Sequence, residues 1–219
     1  MRILIIILTT LLTSACCFVG GSISDDVALY KNSRVLKPII FPKELSEKFP
    51  KISKEFMRAV HRWEISTPVE FYVSQEIYGP RGSISVGIGF YPTMLDPEGK
   101  NTLGFYNPAQ QYLFFNENLE NSEDESVYKT CLHELGHVLG LPHIIGKIDE
   151  DGEKNFVFGG AYDIVLPTKA EAKKCIMYPI SCDEEQDDLT EIEILWVRHA
   201  LMHDINLTSF VETCIYEKN

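Results

Sequence analysis

Three closely spaced histidines and one glutamate are the residues of this sequence best suited to chemistry. His133 and His137 are four residues apart, so on a helix both imidazoles project from one face and can reach the same metal ion. Gly140 allows the chain to turn sharply away from the helix axis, and His143 can then approach as a third ligand. Three neutral imidazoles suit Zn²⁺ and leave its fourth tetrahedral position open, which is typical of a catalytic rather than a structural site.

Glu134 lies directly after His133, where a carboxylate can serve the same site. A zinc ion lowers the pKa of a water molecule that it binds from about 15.7 towards about 7. A carboxylate beside that water can take its proton during attack on a carbonyl carbon and then deliver the proton to the departing amine. The pattern therefore predicts one catalytic zinc ion, with Glu134 as the general base.

The extended motif resembles that of the metzincin zinc endopeptidases. The matching residues are His133, Glu134, His137, Gly140 and His143. A second segment, Cys175-Ile176-Met177-Tyr178-Pro179, resembles the methionine turn of that family, and its Met-Tyr-Pro form is similar to the matrixin branch. The resemblance implies that Met177 supports the histidines from below and that the substrates are proteins or peptides. It also implies that Tyr178 and Pro179 help to wall the pocket after the scissile bond.

Two features of the matrixins are not carried over to this chain. Their structural zinc uses histidines before the active-site helix, and no histidine lies between His61 and His133. No loop spacing in the acidic stretch at residues 117–125 supports a definite set of calcium ligands, so a calcium site stays unassigned. A substrate peptide is expected to lie as an extended strand along a sheet edge, supplied by residues 83–90 or 104–115.

Two other functions compete with a zinc endopeptidase. The first is a catalytically inactive metal-binding surface protein of the same fold. Glu134 argues against it, because a pure binding site needs only the histidines. The second is a zinc hydrolase that acts on a different amide. The methionine turn favours peptide substrates, but the sequence separates these two hydrolases poorly.

The elements that must position the site are predicted from hydrophobic periodicity. Five strands are expected, at residues 35–41, 69–73, 83–90, 103–106 and 112–115, the last two pairing across the Asn107-Pro108 turn. A helix is expected at residues 52–63, with Ile52, Phe56, Met57, Val60 and Trp63 on its apolar face. Ser122 and Glu125 form a capping-box pattern at the start of the active-site helix, which Gly140 ends.

A long irregular stretch is expected at residues 144–174, because it contains several glycines. A last helix is expected at residues 188–202. Its apolar stripe is formed by Leu189, Ile192, Leu195, Trp196 and Leu201 or Met202. These elements make a single α+β domain. The resemblance implies a twisted, mostly parallel five-stranded sheet with the active-site helix, the methionine turn and a C-terminal helix around a cleft.

The start of the chain is typical of a secretory signal peptide. Residues 3–12 are apolar but too short for a permanent membrane span, and the small residues Thr13-Ser14-Ala15 follow. We predict a signal peptide at residues 1–21, a short leader or pro-segment at 22–34 and the catalytic domain at 35–219. Cys16 lies in a pattern similar to a bacterial lipobox, so the mature protein is either secreted or lipid-anchored at the cell envelope.

Composition narrows the set of partners. The chain has 219 residues and a formal net charge of −12, so attraction to a phosphate backbone is not available and nucleic acid is excluded as a partner. Membrane attachment is expected only through an anchor at Cys16. A monomer is expected.

Four cysteines remain after residues 1–21, which in an oxidising compartment suggests two disulfides with three pairings open. Cys175 and Cys182 bracket the methionine turn, so their pairing is the favoured hypothesis. It leaves Cys131 to pair with Cys214.

Overall fold

The computed structural model describes residues 34–90, 102–144, 155–158, 162–165, 167, 169–178, 186 and 188–203, all within one unit that spans residues 33–219. The predicted signal peptide, Cys16, nearly all of the predicted leader, Pro179, Cys182 and Cys214 lie outside the described residues. Within the described part of the chain, no helix is long and apolar enough to cross a membrane.

The elements follow one another in an order that mixes helices and strands. In chain order they are β1 (Val35–Ile40), α1 (Lys43–Lys48), α2 (Pro50–Ser66), β2 (Val69–Ser74), β3 (Ile84–Gly89), β4 (Gly104–Asn107), β5 (Tyr112–Asn116), a 3₁₀ helix (Glu117–Asn121), α3 (Asp124–Val138), β6 (Asn155–Phe158), β7 (Tyr162–Val165), α4 (Lys169–Ala172) and α5 (Glu191–His203). All five predicted strands are confirmed as β1 to β5, and all three predicted helices as α2, α3 and α5.

The main sheet has five strands in the order β2-β1-β3-β5-β4. Strands β2, β1, β3 and β5 run parallel, and β4 pairs with β5 in the antiparallel sense, with Phe105 opposite Phe114. The expected mixed architecture with a mostly parallel five-stranded sheet is therefore present. Strand β4 lies at one edge of the sheet, where one side of its backbone has no partner strand within that sheet.

Helix α2 packs against α3, and both contribute to the main hydrophobic core. Phe56 meets Phe41 and Phe115 edge-on, at ring-centroid distances of 5.2 and 6.0 Å. Trp63 is fully buried and its indole N–H donates to the carbonyl of Leu132 on α3, at 3.1 Å. Burying a large apolar side chain stabilises the fold by roughly 1.5–3 kcal/mol. This packing fixes the helix that carries His133 and His137.

Two residues predicted on apolar helix faces are solvent-exposed instead. Met57 on α2 is 44% exposed, although its neighbour Phe56 is fully buried. Leu195 on α5 is 43% exposed, whereas Trp196 and Val197 are buried. Each of these residues sits at the margin of its stripe, and a helix packed on one side buries only the centre of such a stripe.

The capping box predicted at Ser122 and Glu125 is wrong. Helix α3 begins at Asp124, and its N-cap residue is Glu123, which makes no side-chain capping hydrogen bond. Glu125 instead pairs with Arg58 of α2 at 3.1 Å. The ion pair with α2 therefore replaces the capping interaction that the local sequence pattern predicts.

The stretch at residues 144–174 contains more regular structure than expected. Strands β6 and β7 pair in the antiparallel sense, with Phe156 opposite Ile164, and the short helix α4 follows. In the sequence, aromatic and β-branched residues flank the pair Gly159-Gly160, a combination typical of a hairpin. The prediction of an irregular stretch throughout is therefore wrong.

The favoured disulfide pairing also needs correction, because Cys131 and Cys175 are free, buried thiols in the structure. Cys131 is fully buried in the core on α3. The Cys175 sulfur lies 3.4 Å from the hydroxyl oxygen of Thr190 and 3.6 Å from the carbonyl oxygen of Glu171, so its hydrogen-bonding capacity is used as a thiol. Burial raises the pKa of Cys175 to about 12, which further disfavours a reactive thiolate.

Candidate metal centre

The end of α3 explains how three histidines from a short segment meet. Helix α3 ends at Val138, and Gly140 has a φ of 91°, in the left-handed region that favours glycine. The N–H of Gly140 donates to the carbonyl of His137, and the N–H of Leu141 donates to that of Gly136, each at 3.0 Å. These two bonds form a Schellman motif. The chain therefore turns back immediately and carries His143 towards the helix.

The three imidazoles meet at their Nε2 atoms. The Nε2 atom of His143 lies 3.2 Å from that of His133 and 3.3 Å from that of His137. One ligand atom of each residue lies within 4.8 Å of the others, and this is a group that could hold a metal ion. His133 is buried, His137 is half-buried and His143 is exposed, so the group opens towards solvent on the His143 side.

The other ring nitrogens of two of these histidines are held by backbone carbonyls. The Nδ1 atom of His133 lies 2.7 Å from the carbonyl oxygen of Ile176, and that of His137 lies 2.8 Å from the carbonyl oxygen of Leu141. A carbonyl oxygen only accepts, so Nδ1 carries the hydrogen and Nε2 presents a lone pair. Lone pairs directed at one point suit a cation, and backbone partners of this kind orient metal-ligating histidines.

Burial keeps His133 and His137 neutral. Burial, reinforced by His137 and His143, holds the pKa of His133 well below its usual value. For His137, burial and the neighbouring His143 lower the pKa to about 4. Since only the neutral imidazole has a lone pair for a metal, these two rings are ready to bind a metal ion at neutral pH.

Glu134 is buried next to this group, and the structure leaves one of its oxygens available. Among the residues that the structure describes, Oε2 of Glu134 has no hydrogen-bond partner. Burial raises the pKa of Glu134 to about 8, and a cation held by the histidines would favour its charged form. A buried carboxylate oxygen without a partner is costly for a fold, so it is a candidate for a functional role.

Gly104, at the start of β4, determines the room available to Glu134. A β-carbon at position 104 would lie 2.9 Å from Cγ and 3.2 Å from Oε1 of Glu134. The edge strand therefore approaches the candidate base closely, and only glycine permits this approach. This residue was not predicted from the sequence, although a glycine inside a predicted strand is a known signal of close approach.

Met177 packs against helix α3, next to Gly136. It is fully buried, and a β-carbon at Gly136 of α3 would overlap its sulfur atom. The carbonyl of Met177 accepts the N–H of Ile144, just after His143, at 2.8 Å. Gly136 was missed as a site residue. Tyr178 is buried within the core cluster, and no contact in the structure tests its predicted place in a pocket.

Glu193 of α5 is a third residue that was not predicted from the sequence. Its Oε2 atom accepts the backbone N–H of Thr190 at 2.8 Å and the Thr190 hydroxyl at 2.9 Å, while Thr190 Oγ1 lies 3.4 Å from the Glu193 nitrogen. Thr190 and Glu193 therefore form a capping box, whose Thr-x-x-Glu pattern is visible in the sequence. The other oxygen, Oε1, accepts the N–H of Met177 at 2.7 Å.

No protein-family model matches this chain, and no curated protein matches it either. The assignment of the site therefore rests on its own residues. Within the described ranges, the three histidines are the one group whose side chains are arranged to hold a metal ion.

Proposed function

We propose that this protein is a zinc-dependent endopeptidase of the metzincin type, nearest the matrixin branch. The observation that carries the proposal is the pairing of a three-imidazole group with the buried carboxylate of Glu134, one oxygen of which has no partner among the described residues. A site that only stored a metal would gain nothing from that oxygen, whereas hydrolysis needs a base there.

The donor set supports zinc as the ion. Three neutral nitrogen ligands without a thiolate or a carboxylate among them suit Zn²⁺ in a catalytic site. When bound, zinc supplies a Lewis acid and makes water nucleophilic at neutral pH. His133, His137 and His143 would hold it, and the carbonyls of Ile176 and Leu141 would keep the first two rings in place.

Glu134 would act as the general base and then as the general acid. Its Oε2 atom would accept the proton of the attacking water and then deliver it to the nitrogen of the departing amine. Because burial already disfavours its charged form, the carboxylate gains basicity relative to an exposed glutamate. The close approach of Gly104 would hold the carboxylate in one position while it does so.

The edge of β4 is the surface that best suits the substrate. This strand has a backbone edge without a partner strand in the main sheet, and Gly104 brings that edge next to Glu134. An extended peptide added to such an edge gains main-chain hydrogen bonds, and alternate side chains can be read in pockets. Of the two edges expected from the sequence, β4 is therefore preferred over β3, which is flanked by β1 and β5.

The remaining expectations form part of the same proposal. The chain would act outside the cytoplasm, either secreted or anchored through a lipid at Cys16, and would use protein or peptide substrates. A fold of the metzincin type would place a cleft between the sheet and the segment that contains Met177. A catalytically inactive metal-binding protein of the same fold is the alternative that the experiment must separate.

The test is cleavage of casein and of a quenched peptide library by the purified protein. The comparison samples are a chelator-treated sample, the variant Glu134→Gln and the control Glu47→Gln, which alters an exposed glutamate of α1. We expect cleavage by the wild type and by Glu47→Gln, loss of cleavage in the other two, and one bound zinc per chain in Glu134→Gln. One bound zinc per chain in a wild type that cleaves nothing would instead support the inactive binding protein.

A further inference from the structure

A single peptide group connects Glu193 to the first histidine of the metal centre. The carbonyl of Ile176 accepts the hydrogen of His133 Nδ1 at 2.7 Å. The amide N–H of Met177, on the other side of the same peptide bond, donates to Oε1 of Glu193 at 2.7 Å. Glu193 thus lies two hydrogen bonds away from an imidazole that faces the metal position.

The surroundings of Glu193 exceed what a helix cap requires. A capping box uses one carboxylate oxygen, and Oε2 fills that role with Thr190. The second oxygen of such a cap is free to face solvent, yet Glu193 is 0% exposed. Burying a carboxylate is costly unless each oxygen is satisfied, so the bond to Met177 is a second role for this residue.

The geometry of the peptide group makes this second role relevant to the metal centre. The peptide unit is planar, and its N–H and C=O point in opposite directions. Holding the N–H of Met177 therefore also sets the direction of the Ile176 carbonyl. That carbonyl fixes which nitrogen of His133 carries the hydrogen and how the ring is rotated. An acceptor at one end of such a chain also polarises the next hydrogen bond.

We propose that Glu193 is a positioning residue for His133 and acts through the peptide group between Ile176 and Met177. The inference rests on the metal centre of the proposed function and adds a residue from α5 to it. It concerns the orientation of one ring and not the chemistry of hydrolysis, so it can be tested without peptidase activity.

Two variants of Glu193 and one control separate positioning from capping. In Glu193→Gln, the amide oxygen can serve the two donors of Thr190, which leaves the NH₂ group against the N–H of Met177. Glu193→Met keeps the length of the side chain and removes both acceptors. Thr190→Ala removes the capping hydroxyl but leaves the bond between Glu193 and Met177 intact. If Glu193→Met does not fold, Glu193→Gln still decides the question.

The first measurement is NMR of the metal-free protein, with the His133 ring nitrogens as the probe. We expect the wild type and Thr190→Ala to show His133 as a single tautomer with a protected Nδ1 proton. Both Glu193 variants should show a mixture of tautomers and faster exchange of that proton. An unchanged His133 signal in the folded Glu193 variants overturns the inference, whatever else they lose.

The second measurement is Zn²⁺ affinity by competition with a chromophoric chelator. The Glu193 variants should bind zinc about 10-fold or more weakly than the wild type, and Thr190→Ala within about twofold of it. Equal losses in Glu193→Gln and Thr190→Ala would contradict the inference, because capping alone would explain them. A wild type that binds no zinc would defeat the proposed function, whereas the NMR result would still decide the role of Glu193.

Discussion

Gly136 and Met177 are in contact so close that a β-carbon on residue 136 would overlap the Met177 sulfur. Gly136 occupies the turn of α3 between His133 and His137, and Met177 is fully buried beneath it. Because residue 136 has no side chain, the segment that contains Met177 can pack directly on the backbone of α3. The same segment supplies the carbonyl that accepts the hydrogen bond from His133.

Gly136→Ala tests this contact. Helix propensity alone would favour alanine by about 1 kcal/mol. We expect the opposite sign, a net loss of roughly 1–3 kcal/mol in the free energy of unfolding, because Met177 has no room to withdraw in a packed core. Chemical denaturation measures the difference.

Gly89→Ala is the matched control, since a β-carbon there would meet Phe114 at an ordinary 3.8 Å. It should leave the unfolding free energy nearly unchanged. If Gly136→Ala is as stable as the wild type, the close contact has no structural cost and the argument fails.

Gly104→Ala should separate catalysis from metal binding. The new β-carbon would crowd Cγ of Glu134 at 2.9 Å and the carbonyl oxygen of Phe114 at 3.1 Å. Since the backbone of β5 cannot easily yield, Glu134 must move. We expect kcat to fall by about 10-fold or more, as misplaced catalytic groups usually cost at least that much, with zinc affinity unchanged.

Gly89→Ala again serves as the control for that experiment, because it adds the same methyl group to β3, another strand of the same sheet. Peptidase assays and zinc titration on the same preparations supply both readouts. If peptidase activity and zinc affinity both fall, Gly104 supports the fold of the whole site and not only the position of Glu134.

The parts that the sequence predicted well are those set by local spacing. All three candidate ligands lie on one helix and its terminal turn, so the spacing of His133, His137 and His143 in the sequence already predicts that they meet. The five strands were predicted for the same reason, because each is a short run of β-branched and aromatic residues.

The parts that the sequence did not predict depend on contacts between distant segments. Ser122 and Thr190 each begin a capping-box pattern, yet only Thr190 forms the box. In the first case, Glu125 forms an ion pair with Arg58 of α2 instead of capping the helix. In the second case, Glu193 caps the helix and also accepts the N–H of Met177. Tertiary partners decide between local patterns of equal quality, and no local pattern identifies those partners.

The positive φ of Gly140 yields a prediction with an internal control. Gly140→Ala forces alanine into the left-handed region, at a cost of roughly 1–2 kcal/mol. Relaxation of that strain would unwind the turn that returns His143 to the helix. We therefore expect zinc affinity to fall about 10-fold or more, together with the stability of the protein.

Gly82→Ala separates the two effects. Gly82 has a φ of 86°, nearly the same as Gly140, and a β-carbon there would meet nothing within 4 Å. It lies in the connection between β2 and β3, so its replacement should cost similar stability and leave zinc binding intact. Equal zinc affinity in the two variants would show that the turn at Gly140 does not position His143.

The buried carboxylate of Glu193 should make stability depend on pH with a definite sign. Burial raises the pKa of Glu193 from its usual 4.5 to about 7 in the folded protein. Between these two values the folded chain keeps a proton that the unfolded chain has lost, so this contribution to stability is complete at low pH and is lost as the pH rises to about 7. Each unit of pKa difference is worth about 1.4 kcal/mol, which allows a change of up to about 3 kcal/mol.

The measurement is the difference in unfolding free energy between the wild type and Glu193→Gln, with chelator present, from pH 5 to pH 8. Glu134 has a raised pKa and His137 a lowered one, so the wild type alone would report their opposing effects together. The difference between the two proteins cancels both. We expect the wild type to lose its relative advantage as the pH rises, and to do so mostly below pH 7. A difference that stays constant across this range would mean that the hydrogen-bond donors around Glu193 outweigh its burial.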